Sequence, residues 1–307
     1  MNDDDLQRKS RSVADRDLNR GTTGFITLVV PSLAQPYLGQ LADRVIGEAR
    51  KRDYSVYVTA YAEGSPGGAR EVLQSFDPAV SDGIILSLSE LEDISPDNFD
   101  VDYPLVVLGS RTTWRRVDHV THDDIESAKI AARYMLEHGS SRIAVIGARE
   151  PLDVRKLRNA TESSAQLRLK GIVEECRSYH RQLDPALVGI TPGSWTIGAG
   201  ADAMRQLIDS HVPFDGVIAL NDQLAYGVLS ALATSGIRVP GQVQVIGFDN
   251  AEESAYLQTP LTSMDSGLYW IAFTAVKRII GRIQGTITTP ELLKAKSKII
   301  VRKTTRP

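Results

Sequence analysis

The stretch that most narrows what this chain can fold into is residues 215–249, DGVIALNDQLAYGVLSALATSGIRVPGQVQVIGFD. Two apolar runs, Gly216–Leu220 and Gln242–Phe248, predict buried strands. Between them Leu224, Ala225, Val228, Leu229 and Leu232 recur at helical spacing, which predicts a helix from Asp222 to about Ser235. Gly236 is placed to stop that helix, and Pro240 forbids restarting it. Strand, helix and strand in this order make a βαβ unit, with parallel strands and a right-handed connection.

Polar residues follow both strands: Asn221 and Asp222 after the first, Asp249 and Asn250 after the second. Ligands of open parallel sheets bind outside the strand carboxyl ends. Asn221 and Asp249 are therefore expected to face one crevice, with Asp222 capping the helix. The same residues can serve as caps or turn formers without any ligand, and this unit alone leaves that choice open.

The alternation extends over the chain. Further strands are predicted at Phe25–Val30, Ser55–Thr59, Gly83–Ser87, Leu105–Leu108, Arg142–Ile146, Leu187–Ile190 and Lys298–Val301. Helices are predicted at about 37–52, 67–76, 124–138, 164–178, 196–210 and 267–284. This pattern implies an α/β protein with parallel sheets covered by helices on both faces. So many strands exceed one comfortable doubly wound sheet, so two Rossmann-like lobes are expected, over roughly 24–121 and 122–263. A chain of 307 residues is long enough for two cores.

Charge excludes one class of partner for the bulk of the chain. The formal net charge is −3, so no global basic field holds nucleic acid, and any DNA contact needs a local patch or another segment. Residues 1–23 are polar with interleaved charges and read as an arm. The start, MNDDDLQRKS, does not read as a secretory signal, and no apolar run approaches the roughly 18 residues of a membrane span. A cytoplasmic location is expected. The single cysteine, Cys176, sits in a helical apolar pattern and reads as core.

Other signals are set aside. His119 and His122 lie three apart; if 117–121 is a strand they point to opposite faces and hold no metal. Gly198 and Gly200 lack the context of a dinucleotide site, and Ser163–Ser164 have no His–Asp partners in a hydrolase order. No cofactor, metal or catalytic residue is assigned.

The stretches FDGVIALNDQLAYG (214–227) and RVPGQVQVIGFD (238–249), continued by Tyr256 and PLTS (260–263), resemble the effector-domain signature of the LacI/GalR family of bacterial transcription regulators. So do GFITLVVP (24–31), SLAQPY (32–37), DGII (82–85), PLVVL (104–108), GSSRIAVIG (139–147), RLKG (168–171) and VRKTTRP (301–307). The resemblance covers residues about 12–307. It implies the type I periplasmic-binding-protein-like fold, with a ligand cleft between the lobes and three chain crossings. An N-terminal lobe of 24–121 plus 264–288 and a C-terminal lobe of 122–263 plus 289–307 follow from it.

The resemblance also implies a pocket. Ser32, Pro36, Tyr37, Ser87 and Arg111 would come from the first lobe; Arg168, Trp195, Asn221 and Asp249, which match effector-contacting positions of the family, from the second. Carboxylate, amide and guanidinium present paired sites that fit vicinal hydroxyls, and Trp195 offers a flat face to a sugar ring or base. Blander readings stand beside these: Arg168 as a surface ion-pair residue, Trp195 as a helix-end staple, Tyr37 as packing. Residues 12–21 resemble the family's hinge helix, with Arg16 and Leu18 at its DNA-contacting positions. Here Asp15 and Asp17 flank Arg16 and would oppose phosphates. A DNA-reading head needs roughly 50 residues, and 11 precede Ser12. Either the chain is trimmed to its core, or it is a natural form that cannot hold operator alone; operator DNA is a partner only where such a head is present.

The leading expectation is a homodimeric sensing core that couples a small-molecule effector, a sugar, polyol or nucleoside, to operator affinity through lobe movement. The helices near 38–51 and 267–284 are candidates for the dimer face, although Leu41, Val45 and Ala49 serve equally as core. A sugar-binding protein of a transport or signalling system, without DNA binding, is the alternative. An enzyme is disfavoured because no nucleophile–base set is visible.

Overall fold

The computed structural model describes residues 21–62, 68–193 and 195–307. The hinge expectation at Arg16 and Leu18 lies outside them. In chain order the first elements are β1 (Phe25–Val30), α1 (Pro36–Arg50), β2 (Ser55–Ala60), α2 (Gly68–Gln74), β3 (Ile84–Ser87), β4 (Leu105–Leu108) and β5 (Asp118–His122). Then come α3 (Asp124–Glu137), β6 (Ile143–Ala148), α4 (Val154–Arg158), α5 (Ser164–Ser178), β7 (Val188–Ile190), α6 (Ile197–Asp209), β8 (Gly216–Ala219) and α7 (Asp222–Thr234). The chain continues through β9 (Gln244–Phe248), β10 (Thr262–Asp265), α8 (Leu268–Ile283), β11 (Leu292–Ala295) and β12 (Lys298–Ile300).

Two compact units result. The first runs to Thr121 and takes in Tyr269–Leu293; the second holds His122–Leu268 and Lys294–Pro307. The later junctions fall at 269 rather than 264 and at 294 rather than 289. The first shift follows from β10, which pairs in parallel with β9 and draws the segment after it into the second unit, and the second from β11, which joins β5 at the edge of the first unit's sheet. Each unit is built on a six-stranded sheet, in the order β11-β5-β4-β3-β1-β2 in the first and β12-β10-β9-β8-β6-β7 in the second. In the second sheet the neighbours from β10 to β7 are parallel, and only β12 runs antiparallel, against β10.

The central strands β3, β4, β6, β8 and β9 have no exposed position. That is why their sequences are near-continuous apolar runs: a parallel sheet covered on both faces has no polar side to alternate with. Each fully buried Leu, Ile or Val contributes about 1.5–3 kcal/mol. Leu41, Val45 and Ala49 belong to this interior, at 1%, 0% and 0% exposure, so they serve as core. Cys176 is buried in the second core, and burial pushes its thiol up to about 11.

Local chemistry sets the helix starts that matter for function. Asp123 caps α3 and Thr196 caps α6, each accepting from an amide three residues on. α6 and α7 approach closely because Gly200 and Gly227 face each other's helix. A Cβ on Gly227 would lie 2.0 Å from the Ile197 carbonyl oxygen, and one on Gly200 2.3 Å from that of Leu224. This contact fixes Trp195, just before α6, relative to Asn221, just before α7. Gln242 and Val243, expected in a strand, instead donate their amides to the Arg238 carbonyl at 2.8 and 3.2 Å, so β9 begins only at Gln244.

Candidate functional site

Adjacent parallel strands of the second unit end side by side, which brings Arg149, Thr191, Asn221, Asp249 and Ser266 to one carboxyl edge. Arg168 reaches this edge from the second turn of α5. It is 3% exposed, which removes the surface ion-pair reading. Its Nε donates to Asp124 Oδ1 at 2.6 Å and its Nη1 to the Leu220 carbonyl, while Nη2 lies 3.2 Å from His122 Nε2. Its guanidinium carbon sits 4.6 Å from the Phe248 ring centre and 5.8 Å from that of Trp195. Asp124, the first residue of α3, also accepts from Ser164 Oγ at 3.1 Å. A buried guanidinium with an ion partner, a carbonyl and two aromatic faces is fully accommodated.

Trp195 is half-buried and donates through Nε1 to the Gly147 carbonyl at 3.0 Å. The guanidinium of Arg149 stacks over its ring at 4.6 Å. Arg149 Nη1 also donates to the carbonyls of Thr191, at 2.9 Å, and Gly193. Arg149 and Asp124 are site-forming residues absent from the sequence-derived set. Asp124 enters the sequence reading only as the first residue of the helix predicted at 124–138; Arg149 leaves no local signal, because its carbonyl partners and the Trp195 ring lie on distant loops.

The capping expectation at the start of α7 is corrected. Asn221, not Asp222, is the cap: its Oδ1 accepts from the Leu224 amide at 2.8 Å. Asp222, the first helical residue, turns inward to 1% exposure. It accepts from the Ala251 amide at 2.8 Å and from the hydroxyls of Ser254 and Ser263, both at 2.7 Å. Burial pushes its carboxyl up to about 7, with the charge of Asp249 adding to the rise and the three donors opposing it.

Asp249 follows β9 and keeps part of its surface accessible. Burial raises its carboxyl to about 6; Arg168 pulls it down and Asp124 pushes it up. The structure therefore gathers Arg168, Trp195 and Asp249 around the edge where Asn221 caps α7. Two hydroxyls at that edge, Thr191 Oγ1 and Ser266 Oγ, are buried without a hydrogen-bond partner.

In the first unit, Ser32 follows β1, Ser87 ends β3 and Arg111 follows β4, so the three stand at the carboxyl ends of neighbouring strands β1, β3 and β4. Ser32 Oγ accepts from the Ala34 amide at 3.1 Å, Ser87 is 8% exposed, and its carbonyl accepts from Tyr61 OH at 3.1 Å. Tyr37 is the second residue of α1, after Pro36, and Tyr37 and Arg111 are each half-buried. His119 and His122, three apart on β5, take different partners, the Gly109 carbonyl at 2.6 Å and the Asp124–Arg168 pair. Among the described residues no group of His, Cys, Asp and Glu is arranged to hold a metal ion, and no helix is long and apolar enough to cross a membrane.

Two α/β units, each with polar residues on the carboxyl edge of a parallel sheet, define the class of periplasmic-binding-protein-like proteins. The family model for the periplasmic binding protein-like domain matches residues 132–305. A LacI-type transcription regulator from Bifidobacterium animalis subsp. lactis superposes with a TM-score of 0.87 at 30% identity, over 92% of this chain and 100% of that one. The ribose operon repressor of Halalkalibacterium halodurans is 26% identical over 302 residues, 98% of this chain and 85% of the relative. The HTH-type transcriptional repressor CytR of Escherichia coli K12 is 25% identical over 292 residues, 95% of this chain and 82% of the relative. The chain belongs to the LacI-type family of transcriptional regulators.

Proposed function

We propose that this chain is the sensing core of a LacI-type regulator and that its effector is a sugar, a sugar derivative, a polyol or a nucleoside. The observation that carries the reading is the convergence of Arg168, Trp195 and Asp249 at one sheet edge. A sugar ring has a flat C–H face for Trp195 and vicinal hydroxyls for the carboxylate of Asp249 and the amide of Asn221. Arg168, committed to Asp124 and Leu220, orients this edge and holds Asp249 toward its ionised, hydroxyl-accepting form. Ser32, Tyr37, Ser87 and Arg111, on the carboxyl edge of the first unit's sheet, are the proposed source of the remaining contacts.

The regulator works as a cytoplasmic homodimer and performs no catalysis. Operator DNA is its partner where the full-length protein carries a helix-turn-helix head, with Arg16 and Leu18 as the candidate hinge contacts. That the relatives are repressors favours this reading over a transport protein. A thermal-shift panel of D-ribose, D-xylose, cellobiose, ribitol and cytidine tests it. At a hundred times its Kd, a true effector adds about 2.7 kcal/mol of stability. No shift from any compound, or a panel hit bound equally well by Asp249→Ala, overturns the assignment.

A further inference from the structure

The turn that presents Asp249 has a conformation that side-chain-bearing residues rarely adopt. Asp249 has φ of 102° and Asn250 φ of 51°, two consecutive non-glycine residues with positive φ. Such backbone persists only where its surroundings over-determine it. Here much of that determination converges on one carboxylate. Asp222 Oδ2 accepts from the Ala251 amide at 2.8 Å and from Ser254 Oγ at 2.7 Å, and Asp222 Oδ1 accepts from Ser263 Oγ at 2.7 Å. Ser263 Oγ in turn accepts from the Asn250 amide at 3.0 Å. Two successive amides of the turn are thus tied to Asp222, one directly and one through a single hydroxyl. The Asp249 amide is fixed separately, on the Met264 carbonyl at 3.0 Å, and Arg302 Nη2 holds Asn250 Oδ1 at 2.6 Å.

Asp222 is also confined from the strand side. A Cβ on Gly247 would lie 2.2 Å from Asp222 Oδ1, so the carboxylate lies in the notch that this glycine leaves in β9. With 1% exposure and three donors facing it, Asp222 has no surface to offer a ligand. A group that only accepts matches a site supplied only with donors. An amide in its place keeps the acceptor toward Ala251 and Ser254 but presents a second donor to Ser263.

We propose that Asp222 is a positioning residue for effector binding: its carboxylate holds the turn in which Asp249 and Asn250 take positive φ and so aims the Asp249 side chain, without touching the ligand. The proposal rests on the reading of Asp249 as an effector contact.

The test is residue-resolved amide hydrogen exchange by NMR on the ligand-free full chain, comparing wild type, Asp222→Ala, Asp222→Asn and Ser263→Ala. In Asp222→Ala the amides of Asn250 and Ala251 exchange about tenfold faster or more, as expected for a buried donor losing its acceptor, while those of β6 keep their protection. Asp222→Asn restores most of the protection at Ala251. Ser263→Ala, the milder variant should Asp222→Ala not fold, exposes Asn250 and spares Ala251. Equal loss across β6 and the turn, or unchanged protection of Asn250 and Ala251, makes Asp222 an ordinary core residue and overturns the proposal. A panel compound bound by Asp222→Ala as tightly as by wild type also overturns it. Local loss of protection in Asp222→Ala, with no panel compound bound by wild type, instead removes the effector reading and leaves the anchoring of the turn in place.

Discussion

At the scale of single residues, Arg168 shows how a buried charge is made tolerable and then useful. Its Nε–Asp124 bond of 2.6 Å joins two side chains that are 4% and 1% exposed. Pairs of this kind add little net stability, but removing one partner leaves the other charged and dry. Arg168→Met is expected to cost about 3–5 kcal/mol in urea unfolding, and Asp124→Asn added to it to recover part of that loss. A cost under about 1 kcal/mol would mean that the pair does not brace the site. Gly247 is the complementary case, where an added atom does the damage. Its Cβ would meet Asp222 Oδ1 at 2.2 Å, Leu261 Cδ2 at 3.0 Å and Ala225 Cβ at 3.2 Å, all buried neighbours with no room to retreat. Gly247→Ala is expected to destabilise by about 1–3 kcal/mol and to loosen the amides of Asn250 and Ala251. Preserved protection at those amides would argue against the Asp222 anchor.

At the scale of elements, the start of α7 shows what a cap fixes. Asn221 stands two residues past the end of β8 and caps the helix, so Asn221→Ala is expected to cost about 1 kcal/mol through the cap alone. Asn221→Asp keeps the capping oxygen, removes the amide donor and adds a carboxylate beside Asp222 and Asp249. It should hold the chemical-denaturation midpoint better than Asn221→Ala and still weaken effector binding; tight binding by Asn221→Asp would confine Asn221 to its cap. The βαβ unit was legible because its signals are local: short, mainly apolar runs for β8 and β9, and helical spacing for α7. β10, Thr-Ser-Met-Asp, was not legible, although Thr262 and Ser263 are 0% exposed. Its hydroxyls are satisfied by Thr305 Oγ1, the Arg302 amide and Asp222, about forty residues away in either direction, so a polar sequence fills a core position. The exchange of roles between Asn221 and Asp222 has a similar origin. Both can cap, and which one does depends on a helix start that pattern fixes only to within a residue or two. Arg149 was missed because carbonyl partners and a cation–π contact have no spacing rule.

At the scale of the whole molecule, the two units carry opposite titration behaviour beneath a nearly neutral net charge. In the second unit, Asp222 and Asp249 are raised to about 7 and about 6 from the ordinary 3.8 of an aspartate. Between those limits the folded state binds more protons than the unfolded chain, so the unit's stability is greatest at the acid end and falls as pH rises through the window. In the first unit, burial pushes Asp118 up, but hydrogen bonds from Arg282, Arg278 and the Glu291 amide outweigh it and hold its carboxyl below the usual value. Hydrogen bonds from Lys51 and Arg52 do the same for Glu48. Their contribution is present above the ordinary carboxylate range and is lost only as pH falls below it. Thermal melts followed by tryptophan fluorescence separate the two, with Trp195 reporting the second unit and Trp114 and Trp270 the first. The second unit is expected to melt lower at pH 7.5 than at pH 5, while the first holds steady across that range and weakens below about pH 4. Effector affinity should run the other way, because a protonated Asp249 is a poorer acceptor for hydroxyls: acid strengthens the empty second unit and loosens its hold on the ligand. The double variant Asp222→Asn/Asp249→Asn should flatten the second unit's profile, and a second unit that gains stability from pH 5 to 7.5 would mean that both carboxylates are paired far better than their surroundings indicate.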